Sequence, residues 1–257
     1  MDTLMYVKIK GPAGRIQIDD GGEGTLPVIF AHSFGGSTEQ WSSQLDYLRR
    51  STRAIAYDLR GHGGSDTPQN DDYTVDSQEQ DLAAVVEALK LERFILVGHS
   101  MGGAIAIDYA GKHPERVAGL MMVGTPGKSP EELSKPMIAS LESGKYAEVM
   151  DNYMKQLLTN ARPKVNEEVM KGMNKIPRQE AIAVIRSVFN FDPAPSLRNY
   201  PGPKLIVSTT MEKQPHALHN QFPGISHKTI DGTSHWMQMD KPREFNQILD
   251  EFLSAIK

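Results

Sequence analysis

The chain has 257 residues, a mean hydropathy of -0.42 and 39% apolar residues, which suits one large soluble α/β unit with an insertion. Its 28 basic and 32 acidic residues leave a net charge of -4 with no Lys/Arg-rich run, which argues against nucleic acid or an anionic membrane as partner. It has no cysteine, so disulfides, thiolate metal sites and a cysteine nucleophile are excluded.

In chain order, residues 6–10 and 15–19 predict an opening hairpin. The apolar run 27–31 predicts a strand that feeds His32-Ser33-Phe34-Gly35-Gly36 and a helix starting near Ser37, where Ser37 with Gln40 resembles a capping box. Residues 53–58 predict a strand, and 75–89 a helix with Leu82, Val85, Val86 and Leu89 on one face. Phe94-Ile95-Leu96-Val97 reads as a buried strand, Gly103 to Ala110 as a helix, and Val117 to Val123 as the sixth strand. Between residues 128 and 191 the chain predicts a small lid of about four helices, punctuated by Gly144, Pro163 and Pro177 and started by Ser129-Pro130. A seventh strand at 203–207, an eighth ending at Ile230 and a final helix through Phe245, Ile248, Leu249 and Phe252 complete the pattern. Alternating strands and helices imply a mostly parallel sheet covered on both faces.

The joint between the fifth strand and the next helix reads Gly98-His99-Ser100-Met101-Gly102, or G-x-S-x-G. That motif between a strand and a helix is a nucleophile elbow, which lifts the serine hydroxyl clear of the sheet at a helix N-terminus. Small residues at 98, 102 and 103 relieve the crowding of so tight a turn. Ser100 is therefore the candidate nucleophile. The chain order serine, acid, histidine selects His235 as base, since it follows the eighth strand through Asp231-Gly232-Thr233-Ser234. His99 suits packing, and His32 and His62 suit backbone orientation in Gly-rich loops. His216 and His219 have a metal-compatible spacing without further ligands, so no metal is expected. The backbone N–H groups of Phe34 and Met101 are the candidate oxyanion hole.

His32-Ser33-Phe34-Gly35-Gly36, Asp58-Leu59-Arg60-Gly61-His62-Gly63-Gly64-Ser65, the elbow and Gly232-Thr233-Ser234-His235 stand in one order over nearly the whole chain. Together they resemble the α/β-hydrolase-fold serine hydrolases, and within them small carboxylesterases and enol-lactonases. The resemblance implies an eight-stranded sheet with a helical lid, a core of residues 1–127 and 192–257, and a lid of 128–191. It implies a bracing role for Asp58 and Arg60, and no cofactor. The family's aspartate after the seventh strand is missing. Glu212 falls at the expected offset, Asp192 is the alternative acid, and a site without a carboxylate is the third possibility. His32, Trp41, Met137, Met154 and Trp236 are nominated for the substrate pocket.

The expected function is hydrolysis of a small apolar carboxylic ester through a Ser100 acyl-enzyme. Lactone, carbon–carbon bond or perhydrolase chemistry, and a slow receptor-like binder, are the alternatives. Dehalogenase and epoxide-hydrolase chemistry is disfavoured, because both want an aspartate at position 100. The expected partner is a small ester, and the expected state a monomer or small homo-oligomer. Residues 1–7 lack a signal-peptide pattern and no apolar run approaches roughly 20 residues, so the expected location is cytoplasmic.

Overall fold

Residues 6–256 are described by the computed structural model. The strands are Tyr6–Lys10 (β1), Arg15–Gly21 (β2), Val28–Ala31 (β3), Ala54–Tyr57 (β4), Phe94–His99 (β5), Val117–Val123 (β6), Lys204–Thr209 (β7) and Ser226–Ile230 (β8). The helices are Ser42–Leu48 (α1), Val75–Ala88 (α2), Met101–Lys112 (α3), Glu131–Glu142 (α4), Tyr146–Leu157 (α5), Pro163–Met173 (α6), Arg178–Asn190 (α7), Ala194–Asn199 (α8), Leu218–Gln221 (α9), Met237–Asp240 (α10) and Pro242–Ala255 (α11).

The strands form one sheet in the order β1-β2-β4-β3-β5-β6-β7-β8. β2 runs antiparallel to β1 and β4, and every pairing from β4 to β8 is parallel. The central strands β3, β4, β5 and β6 are buried throughout, as parallel strands covered on both faces must be. Side chains alternate between two cores because successive residues of a strand point to opposite faces. Phe94, Leu96, Leu120, Met122 and Ile206 join α2, α3 and α8 on one face. Ile95, Val97, Met121, Val123 and Val207 join α1 and α11 on the other. Truncating one of the fully buried leucines to alanine costs about 2–5 kcal/mol at such sites.

Two local expectations are corrected. A 3-10 turn at Thr38–Trp41 precedes α1, and the Ser37 hydroxyl accepts from Glu39 N–H, but Gln40 does not return to close a capping box. Gln40 instead accepts from the Ser33 hydroxyl. Pro130, rather than Ser129, sits ahead of α4, and no side chain caps that helix.

Helices α4 to α7 lie between β6 and β7 and build a third apolar cluster. Leu141, Met150, Met154, Val165, Val169, Met173 and Ile185 close around Trp236, with Phe34 and Met137 packed against them. The cap thus sits on the loop after β3 and on the loop after β8. No helix among the described residues is long and apolar enough to cross a membrane.

Candidate active site

Ser100 stands between β5 and α3 with φ 52° and ψ -113°, a left-handed backbone that a side-chain-bearing residue adopts only under strain. Its N–H donates to the Val123 carbonyl at 2.8 Å, and its carbonyl takes the N–H groups of Gly103 and Ala104. The turn leaves no room for neighbouring side chains. A Cβ at 98 would lie 2.3 Å from the Gly102 carbonyl oxygen, one at 102 would lie 2.4 Å from that of Ala31, and one at 103 would lie 1.9 Å from Thr125 Oγ1. The G-x-S-x-G spacing is therefore a steric requirement of this packing.

His235 follows β8 on a loop tied down at several points. Its N–H donates to the Leu157 carbonyl of α5 at 2.9 Å, and its carbonyl accepts from His99 Nε2 at 2.9 Å. Gln238 donates to the other ring nitrogen of His99, so His99 is a neutral, doubly bonded brace; burial holds its pKa far below the ordinary range. Asp240 accepts from the N–H and hydroxyl of Ser234 and, with its second oxygen, from the Arg162 N–H of the cap. Ser100 and His235 thus flank the same buried His99, one in sequence and one in space.

His235 Nδ1 lies 3.4 Å from Glu212 Oε1, with both side chains largely buried. Among the described residues that oxygen is sealed from solvent and has no hydrogen-bond partner, so the imidazole is the group it faces. Glu212 ends a turn in which its N–H donates to the Thr209 carbonyl, while the Thr209 hydroxyl donates to the Thr233 carbonyl of the histidine loop. Gly124, with φ +52°, floors the pair: a Cβ there would lie 2.9 Å from His235 Cε1 and 3.4 Å from Glu212 Oε1. Asp192 is elsewhere. It caps α8 through the Ala194 N–H and pairs with Lys128 at 2.9 Å; the cap bond first and then the lysine hold its carboxyl below the usual range.

Two free backbone donors stand in the loop after β3 and at the head of α3. Among the described residues the N–H groups of Phe34 and Met101 have no hydrogen-bond partner, and Met101 opens α3. The Met101 N–H lies at a helix N-terminus, where the helix dipole favours negative charge. His32 is fully buried, donates from Nδ1 to the Ser33 carbonyl at 2.7 Å and accepts at Nε2 from Leu59 N–H at 3.0 Å. Burial lowers its pKa to about 4. With both nitrogens engaged, His32 is a backbone brace and not a pocket wall. Trp41 also leaves the pocket: it packs on Phe30 and Phe245 in the core beneath the sheet. Met154 and Trp236 lie in the cap cluster, against which Phe34 and Met137 pack. Asp58 accepts from Thr38 N–H, Gly64 N–H and Gln17, and Arg60 bonds Asp81 and the carbonyls of Asp72 and Ser77, so both brace the loops beneath.

The role of His99 was invisible in the sequence, because its partners lie 136 and 139 residues away. For metals, Asp76, Glu79 and Asp108 converge, but Lys112 Nζ binds all three at 2.7–2.9 Å and already supplies the cation.

Known proteins resemble this chain in sequence and fold. The family model described as alpha/beta hydrolase fold matches residues 27–167. Epoxide hydrolase 3 of Xenopus tropicalis is 27% identical over 96% of this chain and 77% of its own length. An N-acyl homoserine lactone degrading enzyme, Est816, superposes with a TM-score of 0.86 at 25% identity, covering 96% of this chain and 100% of its own. The enol-lactonase of Burkholderia xenovorans LB400 shares the fold, with a TM-score of 0.83 at 19% identity over 97% of this chain and 100% of its own. The chain belongs to the α/β hydrolase fold family and is a hydrolase of that family.

Proposed function

We propose that this protein is a serine esterase that hydrolyses small apolar carboxylic esters through an acyl-enzyme on Ser100. The observation that carries the reading is the strained Ser100 at the head of α3 beside a histidine loop whose imidazole faces a buried carboxylate. His235 takes the hydroxyl proton as Ser100 attacks the ester carbonyl, and then hands it to the leaving alkoxide. The carbonyl oxygen becomes an oxyanion between the Phe34 and Met101 N–H groups. A water activated by the same imidazole then attacks the acyl-enzyme and releases the acid. Glu212 orients the ring and offsets the imidazolium charge.

The nucleophile also narrows the chemistry. A serine oxygen that opened an epoxide would form an alkyl ether, which water and a general base cannot cleave, so the enzyme would stop after one turnover. An acyl ester, by contrast, is readily hydrolysed. Lactones are internal esters and meet the same machinery, and the likeness to Est816, an N-acyl homoserine lactone degrading enzyme, supports including them. The apolar cap cluster, with Met137 and Met154 beside Phe34, favours neutral acyl groups of short to medium length. The test is turnover across p-nitrophenyl esters of increasing chain length and a parallel set of lactones. The expected result is sustained turnover that peaks at short or medium chains and falls for charged acyl groups. Preference for charged or very large esters, or absence of turnover on every ester, contradicts the reading.

A further inference from the structure

Ser33 and Trp236 join two loops that the reaction uses separately. Trp236 follows His235 directly, is buried, and donates its indole N–H to Ser33 Oγ at 3.0 Å. Ser33 Oγ donates its own hydrogen bond to Gln40 Oε1 at 3.0 Å, so the hydroxyl is both acceptor and donor in a dry site. The indole ring meets the His235 ring edge-on, with centroids 5.3 Å apart. One side chain therefore touches the imidazole with its ring and the loop after β3 with its N–H.

What Ser33 holds is the next peptide plane. The Ser33 C=O and the Phe34 N–H belong to one planar trans amide and point in opposite directions. The Ser33 carbonyl is pinned by His32 Nδ1 at 2.7 Å and by the Gly36 N–H at 3.0 Å. The Ser33 side chain is pinned by Trp236 and Gln40. With both ends fixed, the Phe34 N–H has one direction to point. Burial of a tryptophan does not by itself require such a bond. Trp41 is equally buried, yet its Nε1 has no hydrogen-bond partner among the described residues.

We propose that Ser33 and Trp236 are positioning residues: their hydrogen bond sets the Phe34 N–H relative to the His235 loop. The catalytic consequence rests on the esterase reading; the structural link does not. Removing Ser33 Oγ leaves the indole N–H unpaired in a dry site, and removing the indole N–H leaves Ser33 Oγ tied to Gln40 alone; either change releases the Phe34 amide to tilt. Misplacement on the order of 1 Å costs about 100-fold in rate.

The test compares Ser33→Ala, Trp236→Phe and the double variant by amide hydrogen exchange of the resting protein and by turnover of p-nitrophenyl butyrate. Each single variant is expected to speed exchange in the peptide spanning residues 32–37 while the sheet stays protected. Each is expected to lower kcat by about 10- to 100-fold with KM within about twofold, since the lost interaction acts on the transition state. The double variant is expected to match the worse single variant, because both break one interaction. Ser33→Thr keeps the hydroxyl and is expected to retain wild-type exchange, which separates loss of the bond from general loosening if Ser33→Ala folds poorly. Unchanged exchange in both single variants, effects that multiply in the double, or a rise in KM at constant kcat overturns the proposal. A wild-type protein without ester turnover overturns the esterase reading instead, and the exchange arm still decides the link.

Discussion

The elbow and the acid turn lie at the same end of the sheet and are held by different physics. At the elbow, Ser100 sits in a left-handed conformation enforced by steric exclusion on three sides, and its N–H is bonded to β6. At the acid turn, Glu212 is held by a single backbone turn beside the exposed Met211, next to an edge strand whose first four residues face solvent. The proposed nucleophile is therefore placed by tight backbone packing. The proposed acid is placed by a short turn. The first should be brittle to substitution and the second graded.

The largest expected effect comes from the reacting groups. Ser100→Ala and His235→Ala should each lower kcat/KM by at least about 1,000-fold with little change in thermal stability, read from steady-state kinetics and a melting curve. A residual activity near wild type in His235→Ala would move the base elsewhere. Next comes Glu212→Gln, which keeps shape and removes charge. The 3.4 Å contact to His235 predicts a loss in kcat on the order of 100-fold with KM nearly unchanged, while Asp192→Asn, at its α8 cap, should behave as wild type in turnover. The reverse outcome would transfer the acid to Asp192.

Gly124→Ala probes the floor shared by both turns. A methyl there meets His235 and must also adopt φ +52°, so a loss of about 1–3 kcal/mol in stability together with reduced kcat is expected from denaturant titration and kinetics. Wild-type values for both would show that the imidazole has slack.

The smallest effect is in pH dependence. On the nucleophile side, burial holds His32 at about 4 and His62 at about 3, below the ordinary value near 6.5. The unfolded chain takes up these protons first, so stability is complete above about 6.5 and declines as pH falls towards 3–4. On the cap, burial raises Glu180 to about 7, so the folded state holds its proton longer and stability declines as pH rises from about 4.5 through 7. Glu180→Gln should flatten the decline in melting temperature as pH rises from about 4.5 through 7 and leave the decline towards pH 3–4 in place. An unchanged slope over that window would remove Glu180 as its cause.

The same contrast explains what could be read from residues alone. The elbow is legible because its sterics demand glycines at fixed offsets, and the central strands are legible because each faces two cores. The Ser37–Gln40 cap failed because Gln40 answers to Ser33 instead, and the long-range link to Trp236 completes that network. His32 and Trp41, nominated for the pocket, are spent on backbone atoms and inside the core, through contacts to residues distant in the chain, Leu59 and Phe245. Helices α8, α9 and α10 span only 6, 4 and 4 residues, too short for a periodic signal. The acid remained open between Glu212 and Asp192 because offset along the chain does not specify which carboxylate a soft turn brings to the imidazole.

The central claim is that Ser100 forms the covalent intermediate. Rapid mixing with p-nitrophenyl acetate, followed by acid quench and peptide mapping by mass spectrometry, tests it most directly. The account predicts a burst of about one equivalent of p-nitrophenolate and an acetyl group on Ser100, both absent in Ser100→Ala. An active enzyme whose acetyl group maps to another residue, or whose Ser100→Ala variant still shows the burst, contradicts it.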